Sequence, residues 1–217
     1  MLVLVVDSST PAVTAALAEI GASGATVRAQ RCTVDARAHG ELLAPQVRAV
    51  LDEAGVRPAD LRAIVAGLGP GPFTGLRVGL VTAASMAQIL SIPTYGVCSL
   101  DALGWAADGQ RVLAATDARR REVYWAAYDE AGMRLAGPAV DAPAAVPDRV
   151  AGLGLTAALG EGARRYADLL GLPVGAEPVF PPAWALAELA AERVRAGAAS
   201  ERLTPLYLRR PDAVAAT

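Results

Sequence analysis

Gly69-Pro70-Gly71-Pro72-Phe73-Thr74-Gly75-Leu76-Arg77-Val78-Gly79 separates an apolar run over 61–68 from a helix-like run over 74–90. A strand, a tight Gly/Pro loop and a helix start can bring free backbone N–H groups close to a bound anion. The same letters also suit a loop that only turns the chain. The sequence on either side frames that choice.

Upstream, 2–7 reads as a buried strand ending in the polar turn Asp7-Ser8-Ser9-Thr10-Pro11. Strands over 13–20 and 26–34 flank the turn Gly21-Ala22-Ser23-Gly24, a hairpin meander. The segment 41–54 has helical spacing, with Pro45 expected to kink it, and 57–60 is a connector. A short strand over 94–97 closes this series. A second series opens with an apolar strand, 112–116, again followed by an aspartate, Asp117. Strands over 122–128 and 134–140, a loop over 138–147, a strand over 153–159, helices over 163–170 and 183–195 and an extended tail over 205–211 follow. The prediction is an α/β protein of two duplicated subdomains, 1–104 and 105–217. In that arrangement Asp7 and Asp117 would face one cleft, and Asp7, Ser8, Ser9, Thr10 and Asp117 would outline a vestigial nucleotide pocket. One carboxylate would orient a magnesium-bound phosphate. The alternative is that each aspartate only caps a turn.

Composition narrows the chemistry. The chain has 217 residues and is 53% hydrophobic, which points to a globular protein. Its 20 basic residues are all arginine, so a phosphate-loop lysine, a Schiff-base lysine and a lysine general base are excluded. A net charge of −2 lacks the basic excess that drives nucleic-acid affinity. Local clusters at Arg119-Arg120-Arg121 and Arg209-Arg210 read either as solvated charge or as phosphate contacts. The apolar start, 2–6, is too short for a signal sequence, and longer apolar stretches are broken by charge, Gly or Pro, so the expected location is cytoplasmic, away from membranes. Cys32 and Cys98 stand alone, without zinc or disulfide spacing. No Gly-x-Ser-x-Gly elbow is present. The single histidine, His39, sits at a helix start with no nucleophile in sequence reach, and reads as structural.

The helix over 74–90 is apolar nearly all round, so it is expected to be buried on more than one side. Gly75, Gly79, Ala83 and Ala87 form a stripe of small side chains on which another helix could close. Together with the helix over 41–54, the expected partner surface is Leu43, Val47, Val50, Gly75, Leu76, Gly79, Ala83 and Met86. The competing reading is a helix sandwiched inside its own subdomain.

In order along the chain, Asp7-Ser8-Ser9-Thr10, His39-Gly40-Glu41-Leu42-Leu43, the 69–79 loop, Asp117-Ala118-Arg119-Arg120-Arg121-Glu122-Val123-Tyr124 and Pro205-Leu206-Tyr207-Leu208-Arg209 resemble the bacterial TsaB family, also called YeaZ. That resemblance implies an actin/hsp70/sugar-kinase-like (ASKHA) fold with mixed sheets. It also implies a noncatalytic scaffold subunit for making threonylcarbamoyladenosine in tRNA, alongside TsaD and TsaE. The helices over 41–54 and 74–90 would pair with those of TsaD, or with a second copy when the chain is alone. TsaD-like proteins hold a metal with a His-x-x-x-His segment; here Ser99 and Leu103 stand at those places, so no metal is expected. No tightly bound cofactor is expected, ATP or ADP entering only within the complex, and tRNA is reached through it. The alternative function is a stand-alone ATP-dependent phospho- or acyltransferase.

Overall fold

The computed structural model describes residues 1–209, so Arg210 and Pro211 of the expected tail lie outside the described residues. Strand β1 (Leu2–Asp7) is the centre of the first sheet, apolar on both faces because helices cover both. It pairs antiparallel with β2 (Ala12–Gly21), which pairs antiparallel with β3 (Gly24–Val34). On its other side it pairs parallel with β4 (Ala63–Gly67), followed by β5 (Thr94–Val97). The order is β3-β2-β1-β4-β5. The second sheet repeats this plan. Its β6 (Val112–Asp117) pairs antiparallel with β7 (Val123–Tyr128), which pairs with β8 (Arg134–Asp141), and parallel with the short β9 (Ala157–Leu159), in the order β8-β7-β6-β9.

On one face of the first sheet, Leu4 and Val6 meet α1 (His39–Ala54) and α2 (Phe73–Leu90). On the other, Val3 and Val5 meet α7 (Ala183–Arg195). The inner stripe of α7 is Ala183, Ala187, Ala190, Ala191 and Val194, small side chains that let the helix sit close to the strands. Thus a helix from the second half of the chain covers the first sheet. Helix α3 (Ser99–Trp105) lies between the sheets, with Ala102 in the α7 cluster and Leu100 and Leu103 in the cluster on β6 and β7. Tyr128 and Arg134 both donate to Asp101 of α3, tying the second sheet to it.

Local elements depart from expectation where backbone geometry overrides pattern. The 153–159 strand shortens to β9, because Gly152 and Gly154 turn the chain at positive φ just before it. The expected helix over 163–170 is two short ones, α5 (Glu161–Arg165) and α6 (Ala167–Leu170), separated at Tyr166. Part of the expected loop over 138–147 belongs to β8, and α4 (Val146–Arg149) follows. Helix α1 runs through Pro45 without interruption. Cys98 is buried and its thiol is pushed up to about 12 by that burial, so it stays protonated and unreactive.

Candidate functional site

The turn after β1 is closed by its own chain. Asp7 Oδ1 accepts from the Ser9 N–H (3.0 Å) and the Ser9 hydroxyl (2.8 Å), and Oδ2 accepts from Ser99 Oγ (2.6 Å). Ser99 Oγ in turn accepts from the Gly69 N–H. Ser8 Oγ donates to the Gly75 carbonyl and accepts from the Gly79 N–H, and His39 Nε2 donates to the Thr10 carbonyl at 2.8 Å. Burial pushes the Asp7 carboxyl up, against the lowering influence of the Ser99 and Ser9 hydrogen bonds and the His39 charge.

This network explains the glycines. A Cβ on Gly67 would lie 1.7 Å from Asp7 Oδ2, on Gly71 2.1 Å from the Ser9 carbonyl oxygen, and on Gly79 2.4 Å from Ser8 Oγ. The Gly-rich segment therefore makes room for the Asp7-Ser8-Ser9-Thr10 turn, where residue type alone suggested room for phosphate. Asp7, Ser8, Ser9 and Thr10 are buried, and their polar groups have protein partners where a magnesium nucleotide would require open ligands. These residues do not fit that group. Replacing Asp7 by Ala strands three donors, so Asp7→Ala is expected to lower unfolding free energy by about 3 kcal/mol in urea titrations. A change below about 1 kcal/mol would remove the network from the account of stability.

Asp117 does not meet Asp7. It pairs with Arg165 of α5 at 3.0 Å and neighbours Glu161, whose carboxyl is pushed up to about 7, chiefly by burial and then by the Asp117 charge. The Asp117 backbone N–H and Arg165 oppose this rise. In the unfolded chain Glu161 titrates near its ordinary 4.5. The folded state thus holds this proton more tightly, and stability present below pH 4.5 is lost as pH rises towards 7. Glu161→Gln should remove that loss, gaining about 2 kcal/mol on wild type between pH 5 and pH 8 after allowance for partial exposure. A wild-type-minus-variant difference that stays constant with pH would refute this.

The small stripe of α2 is corrected by the structure. Gly75, Leu76, Gly79 and Ala83, with Leu43, Val47 and Val50 of α1, are buried inside the first subdomain's own packing; of the eight expected contact residues Met86 alone is partly exposed. The stripe faces inward because the β1–β2 turn occupies it. The opposite face of α2 is open: Arg77, Val81, Ala84, Ser85, Gln88 and Ile89, with Val81 62% and Ile89 82% exposed. Periodicity located an apolar helix but not which side its own sheet takes. Beside this face a groove of about 460 Å³ runs between the helices, lined by Val47, Leu51, Val56, Thr82 and Met86. By length and composition α2 could cross a membrane, yet its inner face is packed on the first sheet.

A cleft of about 680 Å³ opens elsewhere, between the N-terminus of α2 and the β6–β7 turn. Neither Asp7 nor Asp117 lines it; Arg37, Arg119, Arg120 and Arg209 do, with Tyr124 and the Phe73–Tyr207 pair. The two rings stack at 5.4 Å, Arg77 lies 3.7 Å over Phe73, and its Nε donates to the Tyr207 hydroxyl. The tail reaches this point by hydrogen bonds to β5 and Leu68, and Arg209 pairs with Glu122 and the Ala118 carbonyl.

Two sheets of repeated topology, each opening on a strand that ends in aspartate, define an α/β protein of the actin-like ASKHA class. A family model described as TsaD, tRNA N6-adenosine threonylcarbamoyltransferase, matches residues 32–201. The solved structure of YeaZ from Pseudomonas aeruginosa superposes with a TM-score of 0.75 at 31% identity, covering 95% of this chain and 99% of that one. The chain belongs to the TsaB (YeaZ) family. TsaB of Escherichia coli is 37% identical over 61% of this chain and 58% of its own length. An uncharacterized protein of Mycobacterium tuberculosis is 49% identical over 97% of this chain and 93% of its own. One from Mycobacterium leprae is 46% identical over 98% of this chain, which spans 56% of that relative's length.

Proposed function

We propose that this chain acts in threonylcarbamoyladenosine biosynthesis on tRNA as a noncatalytic scaffold that pairs with a TsaD-type subunit and helps to seat TsaE. The observation that carries the reading is the open α2 face, apolar at Val81 and Ile89 and continuous with the α1–α2 groove. Bond-making belongs to the partner in this reading. Ser99 supplies a hydroxyl already engaged with Asp7, and Leu103, fully buried, supplies no donor, so this pair does not fit the metal of the His-x-x-x-His segment. A stand-alone ATP-dependent transferase has weaker support, because Asp7 is sealed from the cleft. The division of the chain into subdomains 1–104 and 105–217 remains part of the proposal, with α7 crossing back to the first sheet.

Mixing the purified chain with the TsaD-type protein of the same organism should give a one-to-one complex in size-exclusion chromatography with light scattering. Absence of association at micromolar concentration would sink the scaffold reading. A homodimer of the chain alone that dissolves when TsaD is added would fit one shared helix face.

A further inference from the structure

We propose that the arginine-lined cleft binds a single-stranded segment of RNA through its phosphodiester backbone. The chain as a whole carries a net charge of −2, yet arginines from three separate segments meet at this one cavity, Arg37 before α1, Arg119 and Arg120 in the β6–β7 turn and Arg209 in the tail. Among the described residues no carboxylate lines it. Such a distribution gathers guanidinium groups of three segments around one opening, with Arg209 also paired to Glu122.

The β6–β7 turn adds an independent observation. Arg119, Arg120 and Arg121 have φ of +59°, +52° and +62°, a conformation that glycine adopts freely and arginine does not. Three consecutive arginines are thus held in a backbone conformation that strains each of them, at the mouth of this cleft for Arg119 and Arg120. At the rim, Phe73 and Tyr207 are partly exposed and offer an aromatic platform of the kind on which bases stack.

Ligand chemistry follows from what the cleft lacks as well as what it has. A magnesium-bound nucleoside triphosphate is commonly held through a carboxylate at the metal; among the described residues none lines the cleft, and the Asp7 turn is engaged elsewhere. A phosphodiester strand carries one negative charge per nucleotide and is met by spaced guanidinium groups without a metal. The cavity volume, about 680 Å³, lies in the range that receives a nucleotide-sized group, and a strand continues beyond it. The inference rests on the tRNA reading above for the identity of the RNA, and deepens it by assigning this chain a direct contact.

The test uses the full chain, a fluorescein-labelled single-stranded oligoribonucleotide and anisotropy across a salt series. Arg119→Gly combined with Arg120→Gly removes two cations while suiting the local φ, and a thermal melt verifies that the variant is folded at the assay temperature. The double variant should bind at least about tenfold more weakly at low salt, and its log–log salt slope should be shallower by about 0.7 for each phosphate that the missing guanidinium groups no longer neutralise. Arg37→Ala should act in the same direction. Equal affinity of variant and wild type, or no binding by wild type, would overturn the proposal. Displacement of the RNA by ATP with magnesium at matched phosphate concentration would also overturn it, in favour of a mononucleotide cleft. Val81→Arg with Ile89→Arg should leave RNA binding intact. Wild type that binds RNA but does not pair with the TsaD-type protein rejects only the scaffold reading, and wild type that pairs but does not bind RNA rejects only this one.

Discussion

Gly67→Ala is expected to lower the stability of the chain by about 4 kcal/mol or to prevent folding, although it adds a single methyl group to a strand. The new Cβ would fall 1.7 Å from Asp7 Oδ2 and 2.7 Å from Ser99 Oγ. Neither atom can yield cheaply. Asp7 is held by Ser9 and Ser99, and both of these residues are buried. Moving the carboxyl would strand its donors as well as disturb β1, the strand on which the first sheet is built. Gly40→Ala is the control: nothing lies within 4 Å of its Cβ, and alanine suits a helix better than glycine. Urea unfolding followed by tryptophan fluorescence compares the two. A midpoint for Gly67→Ala equal to that of wild type would mean that the turn is not close-packed.

Val81→Arg with Ile89→Arg should weaken pairing with the proposed TsaD-type partner about a hundredfold or more while leaving the fold intact. Both side chains point to solvent in the isolated chain, so a guanidinium there is hydrated and the melting temperature should hold. At an apolar helix–helix contact the same two groups would be buried without partners. Gly79→Arg is unsuitable for this purpose, because its Cβ would lie 2.4 Å from Ser8 Oγ and any loss of pairing would follow from loss of the fold. Titration calorimetry of the double variant against wild type reads the effect directly. Unchanged affinity would move the contact to another face.

The duplicated plan was legible because its signals are local. Apolar strands β1 and β6, each ending in aspartate, and the Gly-containing hairpin turns follow from residue type and spacing alone. So did the exclusion of lysine chemistry, and the family likeness that the comparison with YeaZ supports at the level of fold. The helical pattern of α2 was equally plain, and its orientation was not. An apolar circumference has no preferred side until a sheet takes one, and here the glycine stripe went to Ser8 and His39.

What the residues settled unaided was the repeated strand-and-hairpin order and the missing chemical groups, since both depend on neighbours along the chain. Three-dimensional packing alone decided that the aspartates stay apart, that the glycines receive a serine-rich turn, and that arginines distant in sequence share one cavity. Those outcomes turn on which atoms compete for the same space across long sequence separations, and a linear pattern carries no record of that competition.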